Sequence, residues 1–257
     1  MIKPRELVAW CESRYPSALA EEWDQVGVIA GDWSRDISKV LLSVDITQAV
    51  LDEAIACRAD CIVSHHPLVL PRHSIASQPY KYQLIARANL AGIFLFNIHT
   101  NADKARPGVA DAMTEVLGVV NTEAIVADSL DSVTGTGRIG NLTCTVGELL
   151  LLLERAVSGS NPRTTANLAQ PINRVALCPG AGDSLLENVR ETDADVYITS
   201  DLRHHPASEH LEAGGCALID IEHVAAERLW LSVLAAEMST LVPAEVSGVT
   251  TQVWRRH

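Results

Sequence analysis
The stretch VLLSVDITQAVLDEAIACRADCIVSHHP, residues 40–67, decides the fold. Two short apolar runs, Val40–Asp45 and Cys61–Ser64, flank TQAVLDEAIACRA, where Val50, Leu51, Ala54 and Ile55 recur at helical spacing. Strand, helix, strand is the repeating step of a parallel sheet covered by helices. A third run, Ile93–Asn97, follows the helical stretch YKYQLIARANLA. The second half has the same grammar: Val175–Cys178, Val196–Thr199 and Cys216–Asp220, separated by DSLLENVRETDA and HPASEHLEAG. Val40 and Val175 lie 135 residues apart, as do Ala59-Asp60 and Ala194-Asp195 ahead of the next strands. The chain therefore reads as α/β, two similar units from an internal duplication, each a mainly parallel sheet covered by helices.

Between the halves, Asp128 to Asn141 is rich in Gly and polar residues, and Thr145-Val146-Gly147-Glu148 then forms a Thr-x-x-Glu capping box opening an apolar helix. The boundary is expected near Ala127, giving domains 1–127 and 128–257. The alternating stretch Val246–Trp254 is expected as an edge strand that packs back on the first half.

Composition narrows the function. The 257 residues are 47% hydrophobic and 20% charged, with mean hydropathy +0.12, enough for a real core. Lys plus Arg number 20 against 32 Asp plus Glu, and the net charge of −12 disfavours long nucleic acid and anionic membranes. The longest apolar stretch, Leu149–Leu153, is far short of the roughly 20 residues of a membrane helix, and MIKPRELVAW lacks a signal-type apolar core. A soluble, cytoplasmic protein is expected. Its six cysteines contain no Cys-x-x-Cys pair, so they are expected as reduced, buried thiols rather than disulfides or zinc ligands.

The histidines carry the chemistry. Ser64-His65-His66-Pro67 faces Ser200-Asp201-Leu202-Arg203-His204-His205-Pro206, which has a three-residue insertion before its own His-His-Pro. Gly92 through His99 and Asp103 faces Gly215 through His223 and Glu227, so each half carries His-x-x-x-carboxylate after its third strand. In an open parallel sheet, ligands bind beyond the carboxyl ends of the strands, where all these motifs begin. The eight side chains are therefore expected around one cleft between the halves. Imidazole nitrogen with carboxylate oxygen suits Zn, Fe or Mn. On a helix, His223 and Glu227 at i and i+4 share one face. His73, His210 and His257 fall outside the pattern and are expected on the surface.

WDQVG at 23–27, SHHPL at 64–68, HTNAD at 99–103, GTGRIG at 135–140, SDLRHH at 200–205 and His223-x-x-x-Glu227 together resemble the GTP cyclohydrolase I type 2 homolog family, also called the Nif-three-like family. The resemblance runs from Trp23 to Glu227 in the family's order. It implies two divalent metals per subunit, held by His65, His66, Asp103, His223 and Glu227, with His99 close by. It also implies a ring-shaped homohexamer with sites facing an internal cavity. At 257 residues the chain resembles the short members, which lack a domain inserted between the halves. Two positions depart from the family's pattern: Glu222 stands where Gly usually precedes the last His motif, and Ser200-Asp201 where Gly-Asp is usual.

Two ions about 3.5–4 Å apart can lower the pKa of a bound water and polarise the electrophile it attacks, which is hydrolytic chemistry. Asp103, Glu227 and His99 are the catalytic candidates, with either carboxylate able to bridge. His204, His205, Arg138 and Arg203 are the candidates for shuttling protons or contacting an anionic substrate. The family name suggests water attack on the imidazole ring of GTP with loss of formate. Residue types alone do not select that substrate, since no Walker-type loop is present and Gly135-Thr136-Gly137 lacks the rest of a dinucleotide fingerprint. The other readings are phosphoester hydrolysis with the same metals, and a metal-binding scaffold without turnover. The insertion Asp201-Leu202-Arg203 should displace His204 and His205 by up to roughly 10 Å, to the rim of the site. Part of the apolar surface, including Leu149–Leu153, is expected to be covered by neighbouring subunits.

Overall fold
The computed structural model describes residues 1–70, 78–128 and 133–254, so His73 and His257 lie outside the described residues. The chain divides into two compact units, Met1–Ala105 with Leu231–Thr251 and Arg106–Trp230 with Gln252–His257.

The first unit runs α1 (Pro4–Arg14), β1 (Gly27–Ala30), β2 (Val40–Ser43), α2 (Gln48–Ala56), β3 (Cys61–Ser64), α3 (Pro79–Ala91), β4 (Phe94–Asn97) and α4 (Thr100–Lys104). Its sheet has the order β1, β4, β3, β2, with the later strand Ala244–Val246 at the far edge. β2, β3 and β4 are parallel, with Val40 beside Cys61 and Cys61 beside Phe94; β1 is antiparallel. Every residue of these three strands is buried, which is why they read as unbroken apolar runs rather than alternating ones. The Thr47 hydroxyl accepts from the Val50 N–H at 3.2 Å to start α2. That helix lays Val50, Leu51 and Ala54 into a core with Ile62 and Leu95. The edge strand comes earlier than expected. After Val246 the chain turns away, because the Ser247 hydroxyl and the Gly248 N–H both donate to Glu53, and Val246–Trp254 does not continue as a strand.

The second unit runs α5 (Val109–Leu117), β5 (Val120–Glu123), β6 (Val126–Ala127), β7 (Gly135–Thr136), β8 (Arg138–Thr145), α6 (Val146–Ala156), β9 (Arg163–Thr164), β10 (Pro171–Ala181), α7 (Leu186–Arg190), β11 (Val196–Ser200), α8 (His204–Glu212), β12 (Ala217–Asp220) and the start of α9 (His223–Met238). Its main sheet is ordered β5, β8, β10, β11, β12, β9. The boundary lies at Ala105 rather than near Ala127, because α5 packs Ala110, Met113 and Leu117 against Val146, Leu149 and Val175 in this unit's core. β10, β11 and β12 are parallel, with Val175 beside Val196 and Val196 beside Ala217. These partners are Val40, Cys61 and Phe94 shifted by 135, 135 and 123 residues, the offsets at which the two halves align as sequence.

The capping box forms: the Thr145 hydroxyl accepts from the Glu148 N–H at 3.3 Å, and Glu148 accepts from the Thr145 N–H at 2.8 Å. The helix it opens turns Leu149 and Leu153 wholly into its own unit's core and leaves Leu151 exposed. His210 is also a correction. It is fully buried in α8, its Nε2 is 3.1 Å from the Cys216 carbonyl, and it fits because Gly215 has no side chain; a Cβ there would lie 2.3 Å from Nε2.

Candidate metal centre
In the first unit the backbone N–H groups of His65 and His66 donate to Ser43 and Val44 at 3.0 and 2.8 Å, carrying the β2–β3 pairing past the strand ends. Both imidazoles thus emerge from a fixed backbone. His65 is fully buried, with Nδ1 at 3.0 Å from the Ile98 carbonyl and Nε2 at 3.5 Å from Asp103 Oδ1. His66 Nδ1 is 2.8 Å from Asp45 Oδ1, and His99 Nδ1 is 2.9 Å from Asp24 Oδ2. Burial would raise the Asp24 carboxyl, but His99 and the two donors of Thr100 outweigh it and hold the group at about 2. The three rings lie 5.1–5.5 Å apart, with one nitrogen of each within 4.8 Å of the others.

The tautomers follow from these partners. A carbonyl and ionised carboxylates only accept, so each Nδ1 carries the hydrogen and each Nε2 keeps its lone pair. An imidazole held from behind in this way is oriented and made more basic, the arrangement that supports metal-ligating histidines.

The second unit does the same once. His223 begins α9; its Nδ1 is 2.7 Å from Asp201 Oδ2 and its Nε2 is 2.9 Å from Glu227 Oε1, one turn along the helix. With the hydrogen on Nδ1, the Nε2 lone pair and the carboxylate oxygen face one another as two lone-pair donors that a proton or a metal ion can bridge. Two backbone features make room. Asp201 adopts φ 58°, and Gly180 adopts φ 80° where a Cβ would lie 2.5 Å from Glu227 Oε1. The neighbouring Glu222 carboxyl is pushed up by burial and by the charges of Asp201 and Asp220, against a smaller opposing effect of His223. Nitrogen and oxygen donors, with no thiolate among them, fit a divalent ion of the Zn, Fe or Mn kind.

The remaining expected site residues fare differently. Arg138 is fully buried and committed: Nε and Nη2 donate to Asp111 at 2.8 and 2.9 Å, and Nη1 to the carbonyls of Gly135 and Gly137. It ties α5 to the β7–β8 turn and has no face for a substrate, which corrects its assignment as a phosphate reader. Arg203 is exposed, with Nη2 at 2.7 Å from Asp183. His204 and His205 sit exposed in the first turn of α8 and join none of the metal-capable groups among the described residues. Within the second unit the pair therefore forms no ligand group with His223 and Glu227: Asp201, in its left-handed conformation, takes the position after β11, and α8 begins only at His204. Sequence reasoning missed Asp24, Asp45 and Gly180. The two aspartates had signals in the sequence, since Asp24 lies in the WDQVG motif and Asp45 ends the first apolar run.

No helix of the described residues is long and apolar enough to cross a membrane. A family model described as Duf34/NIF3 (NGG1p interacting factor 3) matches residues 2–255. A Streptomyces coelicolor protein named GTP cyclohydrolase 1 type 2 homolog is 33% identical over 266 residues, spanning 98% of this chain and 93% of its own. A Mycobacterium tuberculosis protein of the same name aligns over 368 residues at 26% identity, covering 98% of this chain and 97% of its own. More than a hundred of its positions thus have no counterpart in these 257 residues. Among solved structures, a Staphylococcus aureus hypothetical protein, SA1388, matches with TM-score 0.91 at 24% identity over 100% of this chain and 99% of that one, a likeness of fold.

Proposed function
The chain belongs to the Duf34/NIF3 (NGG1p interacting factor 3) family, and on that footing we propose that it is a divalent-metal-dependent hydrolase of a small molecule, a nucleotide such as GTP being the first substrate to test. The observation that carries this reading is the set of four imidazoles, His65, His66, His99 and His223, each held at Nδ1 by an acceptor, with carboxylate oxygens of Asp103 and Glu227 at 3.5 and 2.9 Å from Nε2 of His65 and His223. The ligands proposed for two ions are His65, His66, Asp103, His223 and Glu227. Bound there, the ions would supply Lewis acidity toward water and toward the electrophile.

The chain's own residues do the rest. Ile98, Asp45, Asp24 and Asp201 fix the ring orientations and keep the hydrogens on Nδ1. Buried Glu227 holds an oxygen 2.9 Å from His223 Nε2, in a space that Gly180 leaves open. His99, its Nδ1 held by Asp24, can accept and return a proton at Nε2. The relatives named GTP cyclohydrolase 1 type 2 homolog support a nucleotide as substrate. In this reading the protein works in the cytoplasm as a homohexamer, with a light-scattering mass six times that of the 27.7 kDa chain.

The test is formate and phosphate release by metal-reconstituted protein across a nucleotide panel, with metal content measured alongside. About two metals per chain and turnover that Asp103→Ala abolishes are expected. A metal-loaded protein inert on the whole panel would overturn the hydrolase reading. It would favour the second one, a metal-dependent partner-binding protein, which the family's description as an interacting factor suggests.

A further inference from the structure
Beside the His223 group, but within the second unit alone, lies a cavity of about 480 Å³ at the carboxyl ends of β11 and β12. That volume suits a small molecule of nucleotide size. Its lining is of two kinds. The polar part comprises Arg163, Arg203, His204 and Ser208 with the Asp220 carboxylate that pairs with Arg163, and Leu211 and Leu218 are among the apolar part. In a chain of net charge −12, two guanidinium groups opening into one cavity are unusual. Arg203 commits only Nη2, to Asp183, so Nε and Nη1 have no partner among the described residues. Arg163 spends Nε on Asp220 at 3.2 Å and Nη2 on the Leu202 carbonyl at 3.2 Å, leaving Nη1. The first amides of α8, at His204 and His205, add their partial positive charge to the same end.

A second cavity of about 380 Å³ shares Arg163 and Asp220 with the first and is lined also by Asp201 and Glu222. Asp201 is the residue that holds His223. The Arg163–Asp220 pair thus forms a wall common to both cavities and places the first one next to the space lined by Asp201.

We propose that the first cavity is the anchoring subsite of the substrate, and that the substrate is a phosphorylated small molecule: its phosphate on Arg203, Arg163 and His204, its apolar or planar body against Leu211 and Leu218. Two guanidiniums and helix amides suit the several oxygens of a phosphate dianion, and fork geometry favours bidentate contact. The proposal deepens the hydrolase reading and rests on it for the word substrate.

The experiment separates the two. Full-length protein stripped of metal by chelator is titrated calorimetrically with guanosine 5′-monophosphate, guanosine and inorganic phosphate. The monophosphate should bind at least about tenfold more tightly than the nucleoside, and inorganic phosphate should compete with it. Arg203→Gln, a change at an exposed side chain, should weaken the monophosphate about tenfold while leaving guanosine binding and the melting temperature as in the parent protein. Equal binding of nucleotide and nucleoside, no binding at about 10 mM, or indifference to Arg203→Gln would each overturn the proposal. If the metal-loaded protein turns over nothing yet these binding differences appear, the subsite stands and the hydrolase reading falls. Turnover that Arg203→Gln leaves untouched has the reverse meaning.

Discussion

Gly180→Ala, set against Gly214→Ala, isolates what the open space beside Glu227 contributes. Both glycines lie in the second unit with nearly the same backbone angle, φ 80° and 79°. Forcing alanine into the left-handed region costs about 1–2 kcal/mol at either position. At Gly214 that is the whole effect, because nothing lies within 4 Å of the added Cβ. At Gly180 the new methyl would lie 2.5 Å from Glu227 Oε1 and 3.6 Å from His223 Nε2. The carboxylate must retreat by about 0.9 Å to reach ordinary contact, from a position 2.9 Å from its imidazole partner. Disturbing the residues that merely orient a ligand lowers metal affinity about 10–100-fold, so displacing a ligand oxygen should lower it at least as much, about 1.4–2.7 kcal/mol. Zn²⁺ affinity by chelator competition and metal-free melting by calorimetry read the two effects separately. Both variants should melt about 2–8 °C below the parent, and Gly180→Ala alone should lose Zn²⁺. If both variants bind Zn²⁺ as the parent does, Glu227 is not a metal ligand.

Arg138→Gln should leave Asp111 without its bidentate partner inside the second unit. Arg106 at 3.8 Å compensates in part, so a loss of about 3 kcal/mol and a fall of about 10 °C in melting temperature are expected, with metal content unchanged in the cold. An undiminished melting temperature would contradict the structural role of that fork. Asp24 titrates at about 2 in the folded chain against an ordinary 3.8, so it binds its proton less readily folded than unfolded. Its contribution, about 2 kcal/mol, is complete above the unfolded value and is lost as pH falls from about 4 toward 2. The melting difference between parent and Asp24→Asn should accordingly shrink between pH 5 and 3, and a gap that stays constant there would refute the assignment. His65→Ala or His66→Ala should lose metal, whereas the double variant His204→Ala with His205→Ala should keep most of it. The opposite pattern by elemental analysis would reverse the roles of the two pairs.

The buried strands and the repeat were legible because parallel strands clothed on both faces need unbroken apolar runs, and such runs are short and bounded. Val40, Cys61, Val175 and Val196 could be placed by eye and stand as neighbours in their sheets. The expected boundary differs because the residues around Ala127 and Gly135 form strands inside one unit, whereas the change of core occurs at Ala105, where the nearby Pro107-Gly108 reads as the start of a helix, Gly108 being the N-cap of α5. Arg138 was misread for a related reason. An arginine beside glycines looks exposed in one dimension, and only the packing of α5 brings Asp111, 27 residues earlier, onto its guanidinium.

The missed aspartates had a readable signal of another kind, and it lies in strand register. Val40 pairs with Cys61 and Val196 with Ala217, so in each unit a strand stands beside one that begins 21 residues later. An acid just past the end of the first strand must then meet whatever follows the second at a similar separation. Asp45 meets His66, 21 residues on, and Asp201 meets His223, 22 residues on. The two pairs occupy different places in the repeat, after the first and second strands of one unit and after the second and third of the other. Their shared spacing comes from the length of a helix and its turns between parallel strands. The same arithmetic explains the fate of the second His-His pair. Asp201 stands directly after its strand, as His65 does after β3, so the second unit offers a carboxylate where the first offers an imidazole. That carboxylate is the one that orients His223, and the displaced histidines begin α8 instead. An aspartate followed about 21 residues later by histidine, each just past an apolar run, is therefore a sequence sign of an imidazole held from behind, and it requires no shared motif between the two residues.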